Sequence, residues 1–187
     1  MSTIDWLMSG PPFVRYRTLL DLKGAAPADE TVQSCLQEML AEPSVQTLVA
    51  AVNDWEQQYP LKRHNDAVHP LHQLVFAAEI GVPTAVLAPA LESIYAHQSA
   101  EGPFQIRIVI PKAFGGDDTP QWNWVATDAP LVLYALLRLG ERGEKVMGGV
   151  EHVLERRGER GFPCFASAEM GKFRGPGRKS DFCPYPN

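Results

Sequence analysis

The chain has 187 residues, with 17 Lys plus Arg against 22 Asp plus Glu, a formal charge of -5 and 45% hydrophobic residues. These values exclude a disordered or collagenous chain, and a chain of this length can bury roughly 70% of the surface its unfolded form exposes, so one domain is expected without a metal or disulfide staple. No apolar run reaches the roughly 20 residues of a membrane span and no basic stretch opens the chain as in a signal peptide; Cys35, Cys164 and Cys183, odd in number and widely spaced, point to a reducing compartment, the cytoplasm.

In chain order, the N-terminal third predicts helices over about 12–22, 28–41 and 44–53. Pro27 and Pro43 suit first turns, and Asp29 and Glu30 suit a helix start. Two further helical hairpins then follow at a common offset. Ile80-Gly81 and Leu139-Gly140 end two apolar helical patterns 59 positions apart, and at that offset Leu87, Leu91, Ile94 and Tyr95 fall on Val146, Val150, Val153 and Leu154. Each set has the i, i+4, i+7, i+8 spacing of one buried helix face. Gly102 falls on Gly161 and Glu92 on Glu151, and agreement through two helices, two turns and a long loop marks a repeat.

Each unit reads as an inner helix (about 68–80 or 127–139), a Gly stop, an outer helix (about 83–98 or 142–157) and a long loop. Gly81 and Gly140 suit the left-handed position that closes a helix, and Thr127 or Asp128 suits the cap of the helix containing Pro130. The first helix of each pair is apolar over much of its circumference; the second shows one stripe against Glu144, Lys145, Glu151 and Arg157. The predicted organisation is a single all-α domain: atypical helices over 1–60, units over 61–119 and 120–178, and the start of a further unit over 179–187. The loops at about 103–122 and 162–181 are expected on one side, the first with a short ribbon in its β-branched run Ile106–Ile110. The repeat stops where another inner helix should begin, which predicts a missing C-terminal segment or a partner protein covering the last helices.

Residues 142–187 carry nine basic and six acidic side chains, leaving -8 for the first 141. The basic residues Lys172, Arg174, Arg178 and Lys179 lie among glycines and proline as a solvated loop. The acidic balance and the separation of aromatic from basic residues argue against a nucleic-acid partner.

Gln98-Ser-Ala-Glu-Gly102-Pro-Phe104, with Arg157-Gly-Glu-Arg-Gly161-Phe162 as a degenerate second copy, resembles the Gln-xxx-Gly-x-aromatic motif of squalene and terpene cyclases. With the alternating inner and outer helices, and with Asp5-Trp6-Leu7, Phe13-Val14-Arg15-Tyr16-Arg17 and Cys183-Pro184-Tyr185-Pro186-Asn187, the chain resembles uncharacterised bacterial members of the prenyltransferase and squalene cyclase repeat superfamily. The resemblance implies an α/α toroid, here incomplete, and an apolar or isoprenoid-like ligand between inner helices. It also implies that Gln98 is scaffold, tying one outer helix to the next. A non-catalytic protein-interaction module is the alternative.

The cyclase signature Asp-x-Asp-Asp does not carry over, since Gly115 stands two positions before Asp117. Asp117 and Asp118, with Asp128, are nevertheless the candidate catalytic carboxylates; the adjacent pair reads either as a turn or as hard oxygen ligands for magnesium. His64, His69, His72, Asp128 and Cys183 form a second constellation, because protein prenyltransferases of this fold hold zinc with Asp, Cys and His. His69 and Asp128 occupy equivalent positions at the starts of inner helices, so His69, Asp128 and Cys183 are the candidate zinc ligands. Trp122, Trp124 and Tyr134, with His69 and His72, are the candidate ligand-binding residues near that rim, as aromatic faces that stabilise cations or as core packing.

Overall fold

The computed structural model describes residues 2–170, and 55% of them are helical. Eight α-helices run in chain order: α1 (Thr3–Met8), α2 (Pro12–Arg17), α3 (Glu30–Ala41), α4 (Pro43–Asn53), α5 (Pro70–Ile80), α6 (Ala88–Ala96), α7 (Ala129–Arg138) and α8 (Glu144–Leu154), with two strands, β1 (Ile106–Val109) and β2 (Pro120–Asn123), between α6 and α7. Among the described residues the fold is therefore mostly helical, as expected, with one small antiparallel ribbon in the loop where the β-branched run predicts it. β-branched side chains at Ile106, Ile108 and Val109 favour the extended backbone, and a two-stranded pairing satisfies its amides.

The predicted helix over 12–22 divides. After α2 the chain widens into a π-helical turn, Thr18–Leu22. The Thr18 hydroxyl donates to the Val14 carbonyl one turn back, a local bond that competes with the regular ladder. Ahead of it, α1 is held by a reciprocal capping box: Ser2 Oγ accepts the Asp5 amide at 3.1 Å, and the Asp5 carboxylate accepts the Ser2 amide at 2.9 Å.

In the two central hairpins the first helices keep the offset of 59, whereas α6 begins at Ala88, 56 residues before α8, because Thr84–Leu87 form a tighter helical turn ahead of it. Inner helices α5 and α7 start 59 residues apart and pack on one another. Both end at a left-handed glycine, Gly81 with φ 85° and Gly140 with φ 91°. Gly102 and Gly161 after the outer helices are also left-handed. One core runs through both units, with Leu71, Leu74, Ala77 and Ala78 from α5 and Val132, Leu133, Ala135 and Leu136 from α7. The stripes of α6 and α8 match at Leu91 and Ile94 against Val150 and Val153, but not at the end. Tyr95 packs against the core and hydrogen-bonds Glu141, whereas its equivalent Leu154 is 56% exposed.

The glutamine motif does the work of scaffold. The Gln98 side-chain amide donates to the Gly102 carbonyl at 2.7 Å and to the Lys145 carbonyl of α8 at 2.9 Å, linking one outer helix to the next. Gly102 and Gly149 pass so closely that a Cβ on Gly149 would lie 3.0 Å from the Gly102 oxygen and 2.9 Å from Leu133. A side chain there would force Leu133 or the Gly102 loop to shift.

The long loops share one side of the hairpins. β1 pairs with β2 and, through Ile108, with Leu61 just before α5; Val125 just before α7 pairs with Ala166 of the second loop. Residues 171–181 of that loop lie outside the described residues.

The αL glycines give a graded prediction. Alanine at either position meets the left-handed strain, about 1 kcal/mol. At Gly81 its Cβ also meets the Tyr16 ring at 2.9 Å, whereas around Gly140 there is open space. Gly81→Ala is expected to lose about 2 kcal/mol and Gly140→Ala about 1 kcal/mol in urea denaturation.

Candidate functional site

Of the side chains predicted from sequence, His64, His69, His72 and Asp128 meet at the rim formed by the N-termini of α5 and α7. Each inner helix carries proline at its first position, which fixes the entry and leaves the preceding residue as N-cap: His69 for α5 and Asp128 for α7. The two equivalent positions use their side chains differently.

His69 is 0% exposed. Its Nδ1 accepts the Leu71 amide at 3.1 Å, capping α5, and its Nε2 donates to the Tyr59 carbonyl at 3.0 Å. Both ring nitrogens are thus committed, and the ring is held neutral with the proton on Nε2. Burial pushes its pKa down, against the smaller upward pull of the Tyr59 carbonyl. The His69 zinc-ligand reading is corrected on this ground: a metal at either nitrogen would break a structural hydrogen bond.

Asp128 is 1% exposed and does not cap its helix through its side chain. Its Oδ1 lies 2.8 Å from His64 Nδ1, with Thr127 Oγ1 2.9 Å from the same nitrogen. The hydrogen bond that His64 donates to Asp128 raises the His64 pKa above its ordinary value, outweighing the downward effect of burial. Asp128 Oδ2 is buried and has no hydrogen-bond partner among the described residues, and the same holds for His72 Nε2 and Gln73 Oε1 in the first turn of α5. A buried carboxylate with only one committed oxygen makes Asp128 chemically conspicuous among the described residues.

Asp117 and Asp118 are placed elsewhere, in the exposed connection between β1 and β2. Asp117 Oδ1 accepts the Thr119 amide at 2.9 Å, as in an Asx turn. Asp118 adopts φ 65°, accepts the Lys112 amide at 3.1 Å and pairs with the Lys112 ammonium at 3.8 Å. Of the two readings open in the sequence, the turn is the one this geometry supports. Gly116 beside them packs onto Ile110, where a Cβ would clash with its carbonyl.

The aromatic candidates separate as well. Trp124 is buried core: its Nε1 donates to Glu101 Oε2 at 2.9 Å, and its ring meets Phe165 and His152 edge-on. Glu101 also accepts the Ala168 amide at 3.0 Å, and although its burial acts upward, these hydrogen bonds hold its carboxyl below the usual range. Trp122 is half-buried and stacks flat on His97, centroids 3.6 Å apart; His97 in turn bonds Glu56. Tyr134 is 43% exposed on α7 and donates to Glu79 of α5. Cys183 lies outside the described residues. Among the described residues no group of three or more His, Cys, Asp or Glu side chains is placed to hold a metal ion, and no helix is long and apolar enough to cross a membrane.

Sequence reasoning grouped His64 with Asp128 in one constellation without singling out their direct bond, and it missed the Glu101–Trp124 link. His64 lies in the irregular segment before α5, 64 residues from its partner, and no periodicity reports such a contact. No protein-family model, no curated protein and no solved structure matches the chain.

The two histidines act on stability with opposite sign. His64, with its pKa raised in the folded state, contributes stability that is fully present below its unfolded pKa of about 6.5 and is lost as pH rises through the folded value. His69, with its pKa lowered, contributes stability present above about pH 6.5 and lost as pH falls through its folded value. Stability against urea is therefore expected to peak near pH 6.5. In His64→Gln the decline on the alkaline side should flatten, and in His69→Asn, which retains an N-cap, the decline on the acid side should flatten. Unchanged profiles would remove both assignments.

Proposed function

We propose that the chain binds an apolar, isoprenoid-like small molecule along the face shared by inner helices α5 and α7, in the manner implied by its resemblance to the α/α toroid superfamily. The observation that carries this reading is an aromatic strip on what should be the best-buried layer. Phe76 of α5 is 49% exposed and Tyr134 of α7 is 43% exposed, and Phe13 of α2 meets Phe76 edge-on with centroids 6.2 Å apart. Large apolar groups left accessible together on adjacent elements mark a place for an apolar ligand or partner.

The strip is bounded by polar groups at both ends. The bonded trio Tyr134, Glu79 and Arg138 lies toward the helix C-termini, with Arg138 Nε 3.6 Å from Glu79. Asp128 and His64 lie at the N-terminal rim, bonded to one another. Few polar contacts that fix orientation beside an apolar surface are the usual composition of a small-molecule site. Magnesium at Asp117 and Asp118 is not part of this reading, because those carboxylates serve their turn. Zinc held by Asp128 would need ligands beyond the described residues.

The alternative, a protein-interaction module, is favoured by a different surface. Met147 and Leu154, seven residues apart on α8, are 39% and 56% exposed and form a stripe on the outer layer where a further unit or a partner protein would pack.

Titration calorimetry with a C15 isoprenoid alcohol tests the proposal. Binding by the wild type, weakened at least roughly tenfold in the double variant Phe76→Ser with Tyr134→Ser, is the expected outcome. Both positions are exposed, so circular dichroism should show an unchanged fold. Absence of binding, or equal binding by the double variant, overturns it. A changed sedimentation coefficient in Met147→Asp with Leu154→Asp would then speak for the interaction reading.

A further inference from the structure

The second loop closes over the segment that leads into α7. Residues 163–170 run along residues 124–126: the Ala126 amide donates to the Phe165 carbonyl at 2.9 Å, the Ser167 amide donates to the Trp124 carbonyl at 3.1 Å, and Val125 and Ala166 form a single antiparallel bridge. The Phe165 ring lies edge-on to Trp124, centroids 5.8 Å apart. What lies beneath is core, since Trp124, Val125 and Ala126 are 1%, 8% and 3% exposed. The covering segment is different: Phe165, Ala166 and Met170 are only partly buried, and Ser167 is its one buried residue. A segment that adds no fully buried apolar side chain to the core can open locally at a free energy well below that of global unfolding.

Its upstream end is built to turn. Gly158 and Gly161 exchange main-chain hydrogen bonds at 2.8 and 3.2 Å, and Gly161 has a φ of 103°, a region in which glycine rotates at little cost. The other end is fixed by one carboxylate from the first loop. Glu101 Oε1 accepts the Ala168 amide at 3.0 Å, Oε2 accepts the Trp124 indole N–H at 2.9 Å, and the Ser167 hydroxyl donates to the same carboxylate. Glu101 therefore joins the covering segment to the ring that it covers, through hydrogen bonds strengthened by the charge of the acceptor. Glu101 is itself firmly mounted, because its turn is tied by Gln98 to the Lys145 carbonyl of α8.

We propose that residues 163–170 form a strap that opens and closes as a unit over Trp124, Val125 and Ala126, turning about Gly158 and Gly161 and latched by Glu101. Closed, it seals the Trp124 ring and the main-chain edge of residues 124–126. Open, it leaves the Trp124 carbonyl and the Ala126 amide without their partners and bares the ring, while α5 and α7 stay packed. This device is independent of the α5–α7 ligand reading and stands if that reading fails.

Amide hydrogen exchange tests it, with the Ala126, Ser167 and Ala168 amides reporting on the strap and amides in the middle of α5 and α7 reporting on the core. In the wild type the three strap amides, although hydrogen-bonded, are expected to exchange at least roughly tenfold faster than the helix amides. Glu101→Gln should speed the strap amides by at least roughly a further tenfold, because the side-chain amide keeps one oxygen and turns an N–H toward one of the donors. Exchange within α5 and α7 should keep its wild-type rate. Equal protection of strap and helices in the wild type, an unchanged strap in Glu101→Gln, or an acceleration that spreads to α5 and α7, as loss of a bond supporting the whole fold would produce, overturns the proposal.

Discussion

Side-by-side packing of α5 and α7 is the constraint on which the remaining structure depends. Two apolar helices of the same polarity cannot be joined by a short turn, so each must be followed by an antiparallel return helix and a long loop. That requirement produces α6 and α8, the left-handed glycines that start the returns, and loops that come back to one rim. It also brings both inner-helix N-termini to that rim, which is why residues as distant as His64 and Asp128 can meet. Leu71, Leu74, Val132 and Leu136 are among the side chains that secure the packing, and truncation of any one to alanine carries the usual cavity penalty of about 2 to 5 kcal/mol.

The outer layer is held by other means. The stripes of α6 and α8 are narrower, and the Gln98 amide with the close passage of Gly102 and Gly149 supplies the link that apolar area does not. Hydrogen bonds to main-chain carbonyls are insensitive to the identity of the partner residue. Lys145 can therefore vary while Gln98 and the glycines cannot change without opening the contact.

The repeat was legible because it is written in local physics. Apolar spacing, glycine stops and proline entries each act within a few residues, so α3, α4, α5, α7 and α8 fall within a few residues of their expected bounds. α1 was missed although Ser2 and Asp5 carry a capping-box spacing, since its six residues show little periodic burial. The π-helical turn after α2 is accompanied by a hydroxyl-to-carbonyl bond at Thr18, which no pattern of apolar residues encodes. At the rim, equivalence of His69 and Asp128 was readable from the offset, yet their different use was not. That difference is set by Tyr59 and His64, which approach from an irregular segment.

The carboxylates show how far adjacency in sequence can mislead about chemistry. Asp117 and Asp118 are neighbours, and neighbouring carboxylates suggest shared protons or a bound cation. In water-exposed backbone, however, each side chain finds a nearer partner in a main-chain amide, and the pair closes a turn. Asp128 stands alone in sequence among apolar residues, where nothing marks it but its place before a helix. Burial makes its charge expensive, and the single bond to His64 offsets only part of that expense, because the second oxygen remains without a partner among the described residues. A helix start needs no buried charge, since serine or threonine caps as well. The cost of retaining a carboxylate at this point is accounted for if the group meets something besides its own helix.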